Sequence, residues 1–72
     1  MDDRFQKDIE YVVNVLYKAG YDPYEQLYAY VHTGNITYIT RKGDAREIVA
    51  NLDREKIMKF IEPYIRQKKM IR

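Results

Sequence analysis

Four apolar stripes at helical spacing, each opened by an aspartate or closed by a glycine, constrain the fold of this chain more than any other feature. Phe5, Ile9, Val12, Val13 and Leu16 keep the 3.6-residue period, and Gly20 stands where a C-cap glycine belongs. Asp22-Pro23-Tyr24-Glu25 then reads as a helix start, with Asp22 as cap, Pro23 in the first turn and Glu25 placed to close a capping box. Tyr24, Leu27, Tyr28 and Val31 form the second stripe, which Gly34 ends. Asp44 is the expected cap of a short helix with Ala45, Ile48, Val49 and Leu52 inward. Asp53 caps the last helix, whose stripe is Ile57, Phe60, Ile61, Tyr64 and Ile65.

The spacing predicts an all-α, compact bundle of about five short helices. Ile9, Val13, Leu16, Leu27, Val31, Ile48, Leu52, Ile57 and Ile61 are its expected core. Residues 1–72 make one domain, with a basic, frayed tail from 65 to 72. Thr37-Tyr38-Ile39-Thr40 alternates and is β-branched, but a lone strand this short has nothing to pair with. Residues 35–43 are therefore expected to form a turn of helix or an ordered loop. Pro63 lies well inside the last helix, where it removes a backbone donor and crowds the carbonyl of Lys59. A kink or break is expected there, on the side opposite Ile57, Ile61 and Tyr64.

Such a chain is small for independent folding, because a domain near this size buries only roughly 60% of its unfolded surface. It has no cysteine and one histidine, His32, so disulfides and cysteine-type zinc sites are excluded and a structural metal is not expected. Association is the remaining source of stability. Tyr11 and Val15 project away from the first stripe, and Tyr30 and Gln26 away from the second. A helix of a small monomer normally presents one apolar face. These outer positions predict a homodimer using the outer face of the first helix, through Tyr11 and Val15.

Catalytic parts are scarce. The chain has no serine and no cysteine, its only aliphatic hydroxyls are Thr33, Thr37 and Thr40, and its three glycines stand isolated at helix ends. No phosphate-cradling loop exists and no cofactor is implied. Acid pairs such as Asp44/Glu47 and Asp53/Glu55 read as helix-start charges, and His32 as a residue of a helix end. No apolar run reaches the ~20 residues that span a bilayer, so a cytoplasmic protein without membrane insertion is expected. Charge is uneven: residues 1–36 hold three basic and six acidic side chains, residues 37–72 ten and five. The basic half leaves a nucleic-acid reading open as the alternative. In it the second helix, a turn at 33–36 and a helix from Thr37 form a helix-turn-helix presenting Arg41 and Lys42. Against it, Gly43 interrupts the reading helix, and Asp44 and Glu47 face phosphates.

One ordered set of short motifs covers more than half the chain. Gly20-Tyr21-Asp22-Pro23 is followed by Gln26-Leu27, then by Gly34 with Thr37-Tyr38-Ile39-Thr40, then by Ala45-Arg46, then by Arg54-Glu55-Lys56-Ile57. In order and spacing this resembles the IreB family, small regulatory phosphoproteins of the Firmicutes. The resemblance implies a helical homodimer that is the target of a membrane Ser/Thr kinase bearing extracellular cell-wall-binding repeats. It further implies a role in cell-envelope metabolism and cephalosporin tolerance, exercised by binding another regulatory protein and not by catalysis. Family members carry phosphoacceptor threonines ahead of the first helix, whereas here Met1 to Lys7 contains no hydroxyl. If the switch is kept, Thr33, Thr37 or Thr40 carries it, with Thr40 favoured because Arg41 and Lys42 follow it.

Overall fold

A computed structural model describes residues 3–71, with side chains described through Gln67. It contains four α-helices: α1 (Asp3–Lys18), α2 (Pro23–Thr33), α3 (Ala45–Ala50) and α4 (Arg54–Ile71). Two single 3-10 turns, Ile36–Tyr38 and Lys42–Asp44, link α2 to α3, and there is no strand among the described residues. The fold is all-α as expected. Four α-helices stand where about five were predicted, because residues 35–44 form those two turns and no further helix. The last helix runs on to Ile71, through the stretch read as tail. The side chains of Lys68 and Lys69, and the whole of Arg72, lie outside the described residues.

The helix ends follow local chemistry. At the close of α1 the Tyr21 N–H donates to the Leu16 carbonyl and the Gly20 N–H to that of Tyr17, both at 3.0 Å. This paired closure needs a left-handed residue, and Gly20 supplies it with φ of 92°. Asp22 Oδ1 accepts from the N–H groups of Tyr24 and Glu25, opening α2 behind Pro23. Asp53 does the same for α4, accepting from the Glu55 N–H at 2.8 Å.

Asp44 does not. It adopts a left-handed φ of 61° and its side chain makes no cap hydrogen bond. The preceding Gly43 is also left-handed, with φ of 57°. Two consecutive residues of this kind turn the chain sharply into α3, whose first residue, Ala45, is buried in the core.

α2 packs chiefly on α4, while α1 packs on α3 and α2. The radius of gyration, 11.5 Å, matches the ~11 Å of a close-packed chain of this length. The centre is built from Ile9, Val12 and Leu16 of α1, Leu27 and Tyr30 of α2, Ala45 and Val49 of α3, and Ile57 and Ile61 of α4. Ile39, from between the two 3-10 turns, is buried among them. Five of the nine expected core residues are thus fully enclosed. Val13, Val31, Ile48 and Leu52 are half-buried at its margin. Tyr30, read as an outer residue, is an inner one, because neighbouring elements cover more of α2 than one face. Tyr64, placed in the apolar stripe of α4, is 40% exposed.

Pro63 does not break α4, which is continuous on both sides of it. Its ring faces solvent, and the packed Ile61 and half-buried Ile65 hold the helix on either side. No described helix is long and apolar enough to cross a membrane.

Candidate functional site

The segment from Thr33 to Arg46 holds every aliphatic hydroxyl of the chain, and its path is fixed by side chains bonding to backbone. Gly34 ends α2 in the left-handed region, its N–H donating to the Tyr30 carbonyl at 2.7 Å. The Thr33 hydroxyl donates to the Ala29 carbonyl at 2.8 Å and accepts from the Asn35 N–H at 3.1 Å. Asn35 Oδ1 then accepts twice from Thr37, from its N–H at 3.0 Å and from its hydroxyl at 2.6 Å. This is the side-chain turn that opens the first 3-10 turn. Farther on, the Thr40 oxygen accepts from the Lys42 N–H at 3.3 Å.

Arg46 of α3 closes the segment from the other side. Its Nε donates to the Ile39 carbonyl at 2.9 Å and its Nη2 to the Thr37 carbonyl at 3.4 Å. A half-buried guanidinium therefore ties down the two carbonyls that flank Tyr38, and Ile39 plugs the core beneath. The link spans seven and nine residues, so no local pattern announces it.

Positive charge gathers here. Arg54, in the first turn of α4, reaches over the end of α2: a Cβ added at Gly34 would lie 2.7 Å from its Nη1. A cation at that place meets the negative end of the α2 dipole. Arg41 and Lys42 are exposed beside Thr40, while Arg41, Asp44, Arg46 and Glu47 line a shallow depression of about 300 Å³. Thr33 and Thr37 are exposed and Thr40 is half-buried.

The motif residues fall into two groups. Gly34, Thr37, Tyr38, Ile39, Thr40, Ala45, Arg46 and Arg54 meet around this connector. Gly20, Tyr21, Asp22, Pro23 and Gln26 belong to the α1–α2 corner. Most of them serve the fold itself, since Gly20, Tyr21 and Asp22 close or open helices, and Pro23, Ile39 and Ala45 are buried. Two stand out as lacking such a role. Tyr38 is 48% exposed, and the Oε1 of Gln26 is buried without a hydrogen-bond partner.

Tyr11 and Val15 lie against the second 3-10 turn of the same chain. The Tyr11 hydroxyl donates to the Gly43 carbonyl at 3.0 Å, and a Cβ at Gly43 would stand 3.0 and 3.1 Å from the Val15 methyls. Their apolar surface is thereby partly covered within the chain, though Tyr11 keeps 48% exposure.

The helix-turn-helix expected of a groove reader is absent. Where a helix from Thr37 was required, a single 3-10 turn ends at Tyr38, and α3 has six residues. His32 is exposed in the last turn of α2 with its ring against Tyr28. Among the described residues, no group of three His, Asp or Glu side chains could hold a metal ion.

At the opposite end, Tyr24 and Tyr64 stack with centroids 4.1 Å apart, and Phe60 is 6.0 Å from Tyr64. The Tyr24 hydroxyl is held above its ordinary pKa, first by burial, then by the charge and hydrogen bond of Tyr64 and the nearby Asp22 carboxylate. A family model described as IreB regulatory phosphoprotein matches residues 1–66 of the chain. No solved structure matches it.

Proposed function

The chain belongs to the IreB family of regulatory phosphoproteins, and from that premise we propose that it acts in the cytoplasm by binding a protein partner, switched by phosphate on the connector. The kinase in this reading is a membrane Ser/Thr kinase that senses the cell wall, and the output is control of envelope metabolism and cephalosporin tolerance. The chain has no catalytic activity of its own and needs no cofactor.

One observation carries the reading: the three threonines lie in a segment whose Thr37 and Ile39 carbonyls are both held by the half-buried Arg46. A phosphate adds about −1.5 to −2 charges and three strong acceptors. On Thr40, or second on Thr37, it would compete with the Ile39 and Thr37 carbonyls for Arg46, with Arg41 and Lys42 adding to the attraction. Asp44 and Glu47 repel it, so the connector has to move. Release of Arg46 loosens the hold on Ile39 and changes the surface around Tyr38. Thr33 ranks last, because its hydroxyl sits at the negative end of α2, where added anionic charge is unfavourable.

Self-association belongs to the same proposal. The small core favours it, and the half-exposed Tyr11, with Val15 beside it against the second 3-10 turn, is the surface put forward for it.

The test is recovery of partners from native cytoplasm by the wild type and by Thr37→Ala/Thr40→Ala and Arg46→Gln variants, with and without nuclease. The proposal expects a discrete protein that survives nuclease and is lost or altered with the variants. Recovery of nucleic acid alone, weakening by roughly one power of salt per phosphate contact, would contradict it.

A further inference from the structure

α1, the α1–α2 corner and α4 share an aromatic face, in which Val13, Tyr24 and Phe60 are half-buried against the core and the other rings are more exposed. Val13 and Tyr17 of α1, Tyr21 and Tyr24 of the α1–α2 corner, and Phe60 and Tyr64 of α4 line two adjoining grooves of about 540 and 330 Å³. The grooves share Val13, Tyr17 and Tyr24, so they form one surface. Tyr17 is 73% exposed, Tyr21 44% and Tyr64 40%. Tyr17 and Tyr21 leave ring surface open to solvent, while Tyr64 stacks one ring face on Tyr24.

The polar lining is one-sided. Glu10, positioned by the Gln6 amide that donates to it at 2.7 Å, and Asp22, the cap of α2, supply the charge. Among the described residues, no lysine or arginine lines either groove. Ring faces carry negative potential and attract cations, and the two carboxylates add to it. Flat rings with slots between them also suit an extended, proline-containing chain, which loses little entropy on docking.

We propose that this face docks an extended basic segment of a partner protein, in which arginine or lysine side chains lie over the tyrosine rings and prolines fill the slots between them. The inference rests on the surface alone, independent of phosphorylation.

The probe is a synthetic peptide of repeated Pro-Pro-Arg, titrated into isotope-labelled protein and followed by amide shifts. A matched peptide with glutamate for arginine is the control. The proposal expects shifts over residues 10–24 and 57–64, binding by the arginine peptide only, and affinity that falls roughly threefold to tenfold in Tyr17→Ala. Tyr17 is exposed enough that its removal leaves the fold intact, which circular dichroism verifies. Equal binding of the glutamate peptide would overturn the proposal, as would arginine-peptide shifts scattered over acidic residues elsewhere. The same shifts appearing when the protein alone is concentrated would assign the face to a second copy and overturn it too.

Discussion

Replacing Gly43 by alanine isolates the contact that fixes the connector to α1. Two costs arise. A side chain in the left-handed region is unfavourable by about 1–2 kcal/mol, and φ at Gly43 is 57°. The new Cβ also meets the Val15 methyls at 3.0 and 3.1 Å and the Tyr11 oxygen at 3.2 Å. Overpacking of this kind costs about 1–3 kcal/mol. Gly20→Ala is the contact-free reference, since nothing lies within 4 Å of the added Cβ. Both variants gain alike from a stiffer unfolded chain, but φ of 92° at Gly20 lies farther outside the left-handed α region than 57° at Gly43, so Gly20→Ala carries the larger backbone cost. The contact, about 1–3 kcal/mol, is therefore at least the difference between the two. A domain of this length has a total stability of about 4–11 kcal/mol, so the effect is readily measured. With a urea m-value of about 1 kcal/mol/M, the contact should lower the Gly43→Ala midpoint by about 1–3 M. Adding Val15→Ala to Gly43→Ala should cost less than the sum of the two single changes, because it opens the space that the new methyl needs. Additive costs for Gly43→Ala and Val15→Ala would refute the packing of the second 3-10 turn on α1.

Other expectations follow from named contacts. Asp22→Ala removes the cap of α2 and should cost about 1 kcal/mol in urea unfolding, whereas Asp44→Ala should lose no cap energy because Asp44 makes no cap bond. Asp44→Gly relieves a left-handed non-glycine residue and should stabilise by up to about 1 kcal/mol. Arg46→Gln should speed hydrogen exchange across residues 36–40, with a loss of about 1–3 kcal/mol chiefly from the part-buried bond to the Ile39 carbonyl, since water can replace the exposed bond to Thr37. The raised Tyr24 pKa means that the unfolded chain releases this proton first as pH rises. Its stabilising contribution is thus complete below the ordinary tyrosine value near 10.0 and lost as pH climbs through the folded value. Tyr64→Phe should bring the Tyr24 titration, read from its ring resonances, back toward the ordinary value.

What the sequence disclosed is what is decided within a few residues. Gly20, Asp22, Gly34 and Asp53 act at helix ends because their bonds reach no farther than five residues. Asp44 has the same signature as Asp22, yet a tertiary demand overrode it: Gly43 had to meet Val15, and the turn that achieves this takes Asp44 out of cap geometry. In α2 the apolar residues are too many to define one face. Which of Tyr24, Tyr28 and Tyr30 turns inward depends on how the other elements pack around α2, and only Tyr30 does so fully. The connector was legible as irregular and hydroxyl-bearing, since a strand without a partner is unstable. The grip of Arg46 on it, and the aromatic face shared by α1, the corner and α4, join residues far apart in the chain and required the fold.

Phosphate on the connector is proposed to set the state of this protein. The most direct measurement is site-resolved mass spectrometry after incubation with the cognate membrane Ser/Thr kinase. The expected result is one phosphate within residues 33–40, on Thr40 foremost and on Thr37 second, with modification lost in Thr37→Ala/Thr40→Ala. A chain in which none of its three threonines is modified would contradict it.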